Sequence, residues 1–261
     1  MSKYLANEIE EIMLNAFPSV RQEIYDGWLL RFSGGYTYRA NCICPLYPSE
    51  YPLEEKIAYC EERYRRLHLP VIYKMSHIIP GNLDMLLEKK GYPIVKYVDV
   101  LCRSLSDWNY TPPSSDPYRL TVSRQMDDEW LEGVNQLIHI PVPQMENIQK
   151  HIFRRIQSPY FCVHIKDGSR IIATGLGVLE RGYIGLYAIH VDEAYRRQGL
   201  ALRLCSEIIR QGQTMGATKA HLQVRHGNTG AFLLYDRLDM KKVYTHWFRM
   251  KTFDDSIPIF D

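Results

Sequence analysis

The chain has 261 residues, enough for one large domain or two of ordinary size, and its 46% apolar and 24% charged residues are the balance of a folded chain with a sizeable core, not of a disordered one. Its 32 basic and 30 acidic side chains leave a formal charge of +2, which lacks the basic stripe of a nucleic-acid binder. The polar start, Met1-Ser2-Lys3-Tyr4-Leu5-Ala6, does not read as a signal peptide and no apolar run reaches the length of a membrane span, so a cytoplasmic protein with no membrane partner is expected.

Leu5, Ile9, Ile12, Met13 and Ala16 recur at helical spacing and predict a helix over 4–17, closed by Pro18. Strands at 28–32 and 38–46 flank Ser33-Gly34-Gly35, which reads as a hairpin turn. Cys42 and Cys44 would share one face of the second strand. Core packing suits them better than a metal, because no second cluster supplies the other ligands of a closed site. The other four cysteines are scattered, as reduced thiols are. A helix over 52–69, a strand over 71–75, a helix over 82–90 ended by Gly91 and a strand over 94–102 complete an α/β unit. The polar run Thr111-Pro112-Pro113-Ser114-Ser115-Asp116 then suggests a linker, giving domains at 1–105 and 118–261 joined by 106–117.

The second half predicts a strand over 118–123, helical pieces within 127–156, and strands at 161–165 and 171–179 linked by Lys166-Asp167-Gly168-Ser169. A strand over 183–191, apolar on both faces, should lie centrally. A helix from about 200 to 212, a strand over 219–224, a helix over 229–238 and a strand over 242–250 follow.

The turn Arg196-Arg197-Gln198-Gly199-Leu200-Ala201 joins the central strand to the helix at 200. A helix start leaves its first N–H groups unpaired and carries partial positive charge, so it takes phosphate oxygens. Gly199 and Ala201 let the backbone approach a bulky anion, and Arg196 and Arg197 add charge at its mouth. Taken alone, the hexapeptide supports an anion site. It is neither a lysine-ended phosphate loop nor a dinucleotide fingerprint.

The run Leu186-Tyr187-Ala188-Ile189-His190-Val191-Asp192-Glu193-Ala194-Tyr195-Arg196-Arg197-Gln198-Gly199-Leu200-Ala201 resembles the acetyl-CoA motif of the GNAT N-acetyltransferase superfamily, with Arg196, Gly199 and Ala201 in its defining places. Downstream, Leu222-Gln223-Val224, Asn228, Ala231 and Leu234-Tyr235-Asp236-Arg237-Leu238 resemble the superfamily's strand-asparagine-tyrosine segment. The resemblance covers about 118–250 and implies a GNAT fold, a mixed α/β architecture with a central sheet flanked by helices. It implies acetyl-CoA as donor, no metal, and transfer of an acetyl or short acyl group to a primary amine by direct attack in a ternary complex. By the same resemblance, the backbone of Ile189, His190 and Val191 would hold the pantetheine arm. Arg196, Arg197, Gln198, Gly199, Leu200 and Ala201 would hold the pyrophosphate, Asn228 would contact the cofactor, and Tyr235 would protonate the departing thiolate.

Asp239-Met240 stands where family members carry Gly-Phe, which puts the turn after the tyrosine helix in question. The general base stays open between His190 and relayed water, Glu180 being the acidic residue near that strand.

In the first half, Leu86-Leu87-Glu88-Lys89-Lys90-Gly91-Tyr92 resembles the same family's tyrosine-helix ending with Leu87 in the tyrosine's place. Pro48-Ser49-Glu50-Tyr51-Pro52-Leu53-Glu54-Glu55 offers neither arginine nor glycine where the pyrophosphate turn should be. The first half is therefore a degenerate GNAT-like repeat in a tandem chain, or an unrelated α/β domain. Trp28, Arg31, Tyr36, Tyr38 and Arg39 would bind a polar acceptor or pack in a core, and the acceptor loop is expected within 138–149, with His139, Pro141 and Pro143. A non-catalytic acyl-CoA-binding module is the alternative function.

Overall fold

The computed structural model describes residues 3–112, 117–140 and 142–261. In chain order the elements are α1 (Lys3–Ala16), β1 (Arg21–Tyr25), β2 (Trp28–Phe32), β3 (Ile43–Pro45), α2 (Leu53–Arg65), β4 (Val71–Ser76), α3 (Gly81–Lys89), β5 (Ile94–Ser104), β6 (Arg119–Ser123), α4 (Asp128–Ile138), α5 (Pro143–Arg154), β7 (Tyr160–Asp167), β8 (Arg170–Glu180), β9 (Tyr183–Val191), α6 (Leu200–Thr214), β10 (Lys219–Arg225), α7 (Thr229–Arg237) and β11 (Lys241–Lys251). None of the described helices is long and apolar enough to cross a membrane. All six cysteines are free thiols.

Two compact units emerge. The first takes the chain up to Asp99 together with Val142–Arg155 and Tyr244–Asp261, and the second takes the remainder. They differ from the contiguous halves expected from the sequence, since α5 and most of β11 belong with the first unit. Of the expected linker, Pro113 to Asp116 lie outside the described residues, as does Pro141 of the expected acceptor loop.

In the first unit the strands run β1-β2-β3-β4-β11. β1 pairs antiparallel with β2 through a tight turn at Asp26-Gly27, whose φ angles of 41° and 77° are those of a two-residue hairpin turn. Sequence periodicity misses β1 because its residues are mostly polar and its one aliphatic side chain, Ile24, is 77% exposed. β2 and β3 do pair antiparallel as expected, but β3 begins at Ile43. The preceding loop is fastened by buried Asn41, whose Oδ1 accepts from Ser33 N at 2.8 Å and Gly35 N at 3.2 Å while Nδ2 donates to the Tyr36 and Thr37 carbonyls. That side chain does the work of a strand partner, so 38–42 need not be extended. Cys42 and Cys44 are buried beside Ile72 and Phe248 with their sulfurs 3.6 Å apart.

Trp28, Arg31 and Tyr36 are core residues. Arg31 donates to the Arg39 and Phe17 carbonyls, and Tyr36 stacks on Phe17 and Phe260. Residues 143–154, partly expected as an acceptor loop, form the amphipathic helix α5, which buries Gln149, Ile152 and Phe153. Gln149 donates to Tyr36 Oη at 2.8 Å, and the Phe153 ring meets Phe17 edge-on, so this helix completes the first unit's core.

In the second unit the order is β5-β10-β9-β8-β7-β6. β6 to β9 form an antiparallel meander, and β9 pairs parallel with β10. α6 covers the face carrying Ile184, Leu186, Leu222 and Val224, where Gly212 lets the helix approach until a Cβ there would be 2.7 Å from the Ile184 side chain. α4 packs on β8 and β9, with Gly133 against Ile171.

The two orders correspond. In each unit an antiparallel run, three strands in the first (β1 to β3) and four in the second (β6 to β9), leads into a parallel pair, β3 with β4 and β9 with β10. The last strand is exchanged: β11, which follows α7, pairs antiparallel with β4, whereas β5, which follows α3, neighbours β10.

Candidate active site

The site arises where two parallel strands part. β9 and β10 are in register from Tyr183↔Lys219 to Leu186↔Leu222 and no further, whereas β9 stays paired with β8 out to Val191↔Ala173. A bulge makes the bend: Ala188 and Ile189 together oppose Gly175, and Ala188 adopts φ 48°. Thr174 Oγ1 donates to the Ala188 carbonyl at 3.2 Å and holds the bulge. Gly175 is needed opposite it, since a Cβ there would meet Ile208 at 2.9 Å and Ile189 at 3.1 Å.

At the diverging end of β9 lies a cavity of about 580 Å³, within the range of small-molecule sites and bordered by the turn into α6 and by α7. Ile189, His190, Val191, Arg196, Arg197, Gly199, Leu200, Ala201, Asn228 and Tyr235 all line it. Gln198 alone among the expected site residues does not; its Oε1 accepts from Tyr118 Oη at 3.3 Å. Leu137, Tyr195, Leu233 and Arg237 also line the cavity and were not singled out in the sequence. For α7 the signal was present, because Asn228, Ala231, Leu234 and Tyr235 follow helical spacing and mark the lining face.

The phosphate-type turn has the backbone its sequence implies. Arg197 takes φ 64° and Gly199 takes φ 82°, so the chain reverses twice before α6 begins. Gly199 is the N-cap of α6 and has no side chain to occupy the first N–H groups, which stay available to an anion. Arg196 is braced by Glu193 at 3.0 Å and by the Val191 carbonyl. Asn228 caps α7, its Oδ1 accepting from Ala231 N at 3.1 Å.

Tyr235 is 8% exposed, packed among Leu200, Leu204 and Cys205. Burial, with the Cys205 thiol as a lesser cause, pushes its phenol well above the ordinary tyrosine value. The phenol therefore remains protonated throughout the working range, which suits a proton donor. Asp239 keeps the turn that glycine would make, at φ 53°, with Met240 N donating to the Tyr235 carbonyl at 2.9 Å.

A family model described as "Probable histone acetyltransferase Rv0428c C-terminal" matches residues 6–250. The chain is 27% identical over 252 residues to the uncharacterized N-acetyltransferase YobR of Bacillus subtilis (strain 168), a match covering 94% of this chain and 98% of that protein. Among solved structures it is similar to a GCN5-related N-acetyltransferase from Kribbella flavida, with a TM-score of 0.70 at 18% identity over 95% of both chains. It is also similar to a tandem GNAT protein from the clavulanic acid biosynthesis pathway, with a TM-score of 0.57 at 10% identity, covering 75% of this chain and 69% of that one.

Proposed function

The chain belongs to the GNAT N-acetyltransferase superfamily, and on that footing we propose that its second unit transfers an acetyl or short acyl group from acetyl-CoA to a primary amine. The observation that carries this reading is the cavity at the diverging end of β9, which joins the α6 turn, the β9 edge, Asn228 and Tyr235 in one space. Acetyl-CoA would lie with its pyrophosphate on the α6 N–H groups beside Arg196 and Arg197. Its pantetheine arm would run along Ile189 to Val191 as an added strand, using the side of β9 that β10 has left. The neutral amine attacks the thioester carbonyl, an N–H of the β9 edge stabilises the oxyanion, and Tyr235 delivers a proton to the CoA thiolate. His190 lines the same cavity and, with water, is the route for the amine's proton.

One cofactor per chain is part of the proposal. In the first unit the space between the equivalent parallel strands is about 10 Å³ and is bounded by Pro45 and Leu46, and proline has no N–H to offer a pantetheine. Ahead of α2 the Asp26 carboxylate already accepts from the amides of Glu50 and Tyr51 at 2.9–3.1 Å and pairs with Lys56. An internal anion fills the place a phosphate would take. The shared strand order, and the likeness to a tandem GNAT protein, support reading the first unit as a degenerate repeat. The six free thiols fit a reducing compartment such as the cytoplasm.

Thiol release from acetyl-CoA across a panel of amines tests the reading. Tyr235→Phe is expected to lower kcat by ~10²-fold or more with little change in the KM for acetyl-CoA. Unchanged turnover would remove Tyr235 from the chemistry. Tight acetyl-CoA binding with no thiol release for any amine would favour a non-catalytic module.

A further inference from the structure

The face of the second unit's sheet opposite α6 carries polar groups whose hydrogen-bonding capacity is unused. By strand alternation, Ile184, Leu186, Leu222 and Val224 face α6, so Gly185, His221 and Gln223 face the other way. His221 lies directly across from Gly185, where the missing Cβ makes room for its ring, and it contacts the rings of Tyr183 and Tyr187 edge-on. It is fully buried, and neither ring nitrogen has a hydrogen-bond partner. Gln223 is the first residue of β10 past the last rung with β9, hence at the fork, and its Oε1 is also buried without a partner. On α4, which packs on β8 and β9, Asn135 is 4% exposed with both amide atoms lacking partners.

A buried polar group that nothing meets is costly, and these three belong to β10, one arm of the fork, and to α4, which packs on β8 and β9. Burial alone pushes His221 down to about 4, so its imidazole is neutral, with one donor and one acceptor. Asn135 and Gln223 are likewise uncharged. Resting on the transferase reading above, we propose that His221, Gln223 and Asn135 line the acceptor's side of the fork and select a primary amine flanked by uncharged hydroxyl or amide groups. Phosphorylated, carboxylated or plain alkyl amines are disfavoured. A phosphate or carboxylate would meet no cation from these three residues, and an alkyl chain would leave their polar atoms unmet.

The test measures thiol release from acetyl-CoA with serinol, glucosamine and glycinamide against phosphoethanolamine, glutamate and hexylamine. The neutral polar amines are expected to exceed the others in kcat/KM by about tenfold or more. His221→Phe and Gln223→Leu should raise the acceptor KM by about tenfold while the KM for acetyl-CoA stays fixed, and His221→Gln should recover part of the loss. Gln223 is only half-buried, so its variant serves if the His221 variants do not fold. Preference for an anionic or alkyl amine, or an acceptor KM unmoved in both variants because water alone fills the groups, overturns the proposal. So does a His221 imidazole NMR signal unmoved by every neutral amine when none of them reacts. Failure of acetyl-CoA to bind in calorimetry would instead sink the transferase reading itself.

Discussion

Desolvation sets the behaviour of the buried titratable residues. Tyr235 is kept protonated by the apolar packing around it, which costs acidity but guarantees the donor form. His221 and His246 are fully buried, and burial is the first cause that lowers both below the ordinary histidine value, His246 in the first unit being lowered further by Lys74, Arg39 and Lys96. Each is neutral in the fold yet takes a proton once unfolded below about pH 6.5. Their contribution to stability is therefore complete above that pH and falls as the pH drops below it, toward about 4 for His221. The slope should reach about 1.4 kcal/mol per pH unit for each histidine. Denaturant melts between pH 7 and pH 5 should show this loss, and His221→Phe should remove about half of it; a flat profile would mean that the rings are solvated.

Among single elements, α7 shows how a sequence irregularity is absorbed. Replacing the usual glycine by Asp239 leaves the turn intact but forces a left-handed aspartate, with φ 53°. Asp239→Gly should raise stability by about 1 kcal/mol, read as a higher Tm, because glycine takes that conformation without the Cβ penalty. An unchanged or lower Tm would show that the exposed pair of Asp239 with Lys241 offsets the strain. The helices and central strands were legible because an apolar stripe or run fixes them: of the α1 residues at helical spacing, Ile9, Ile12, Met13 and Ala16 are buried and Leu5 is half-buried. β1 was not legible by periodicity, although Asp26-Gly27 is a hairpin signal. Nor was the start of β3, which is decided by the amide of Asn41 and not by propensity. In the site, the α6 turn and the lining face of α7 were readable as local patterns. The bulge at Ala188 and the partner-less atoms of His221 and Asn135 depend on which strands lie side by side, information that no local spacing carries.

Across the whole molecule, domain membership does not follow chain order. α5 and most of β11 return to the first unit, and β5 from Val100 onward belongs to the second, so cutting the chain between residues 105 and 118 would separate strands from the units they complete. The shared step from an antiparallel run into a parallel pair has two outcomes: beyond the pair in the second unit lies a cavity of about 580 Å³, and at the pair in the first the space is about 10 Å³. Calorimetric titration of the intact chain with acetyl-CoA tests this division most directly. One acetyl-CoA per chain is expected, with affinity reduced about tenfold in Gly199→Val. A Cβ there would meet no neighbour within 4 Å, but the valine would have to adopt φ 82°, at a cost of ~1–2 kcal/mol. Two molecules bound per chain, or the same affinity in the variant, would contradict it.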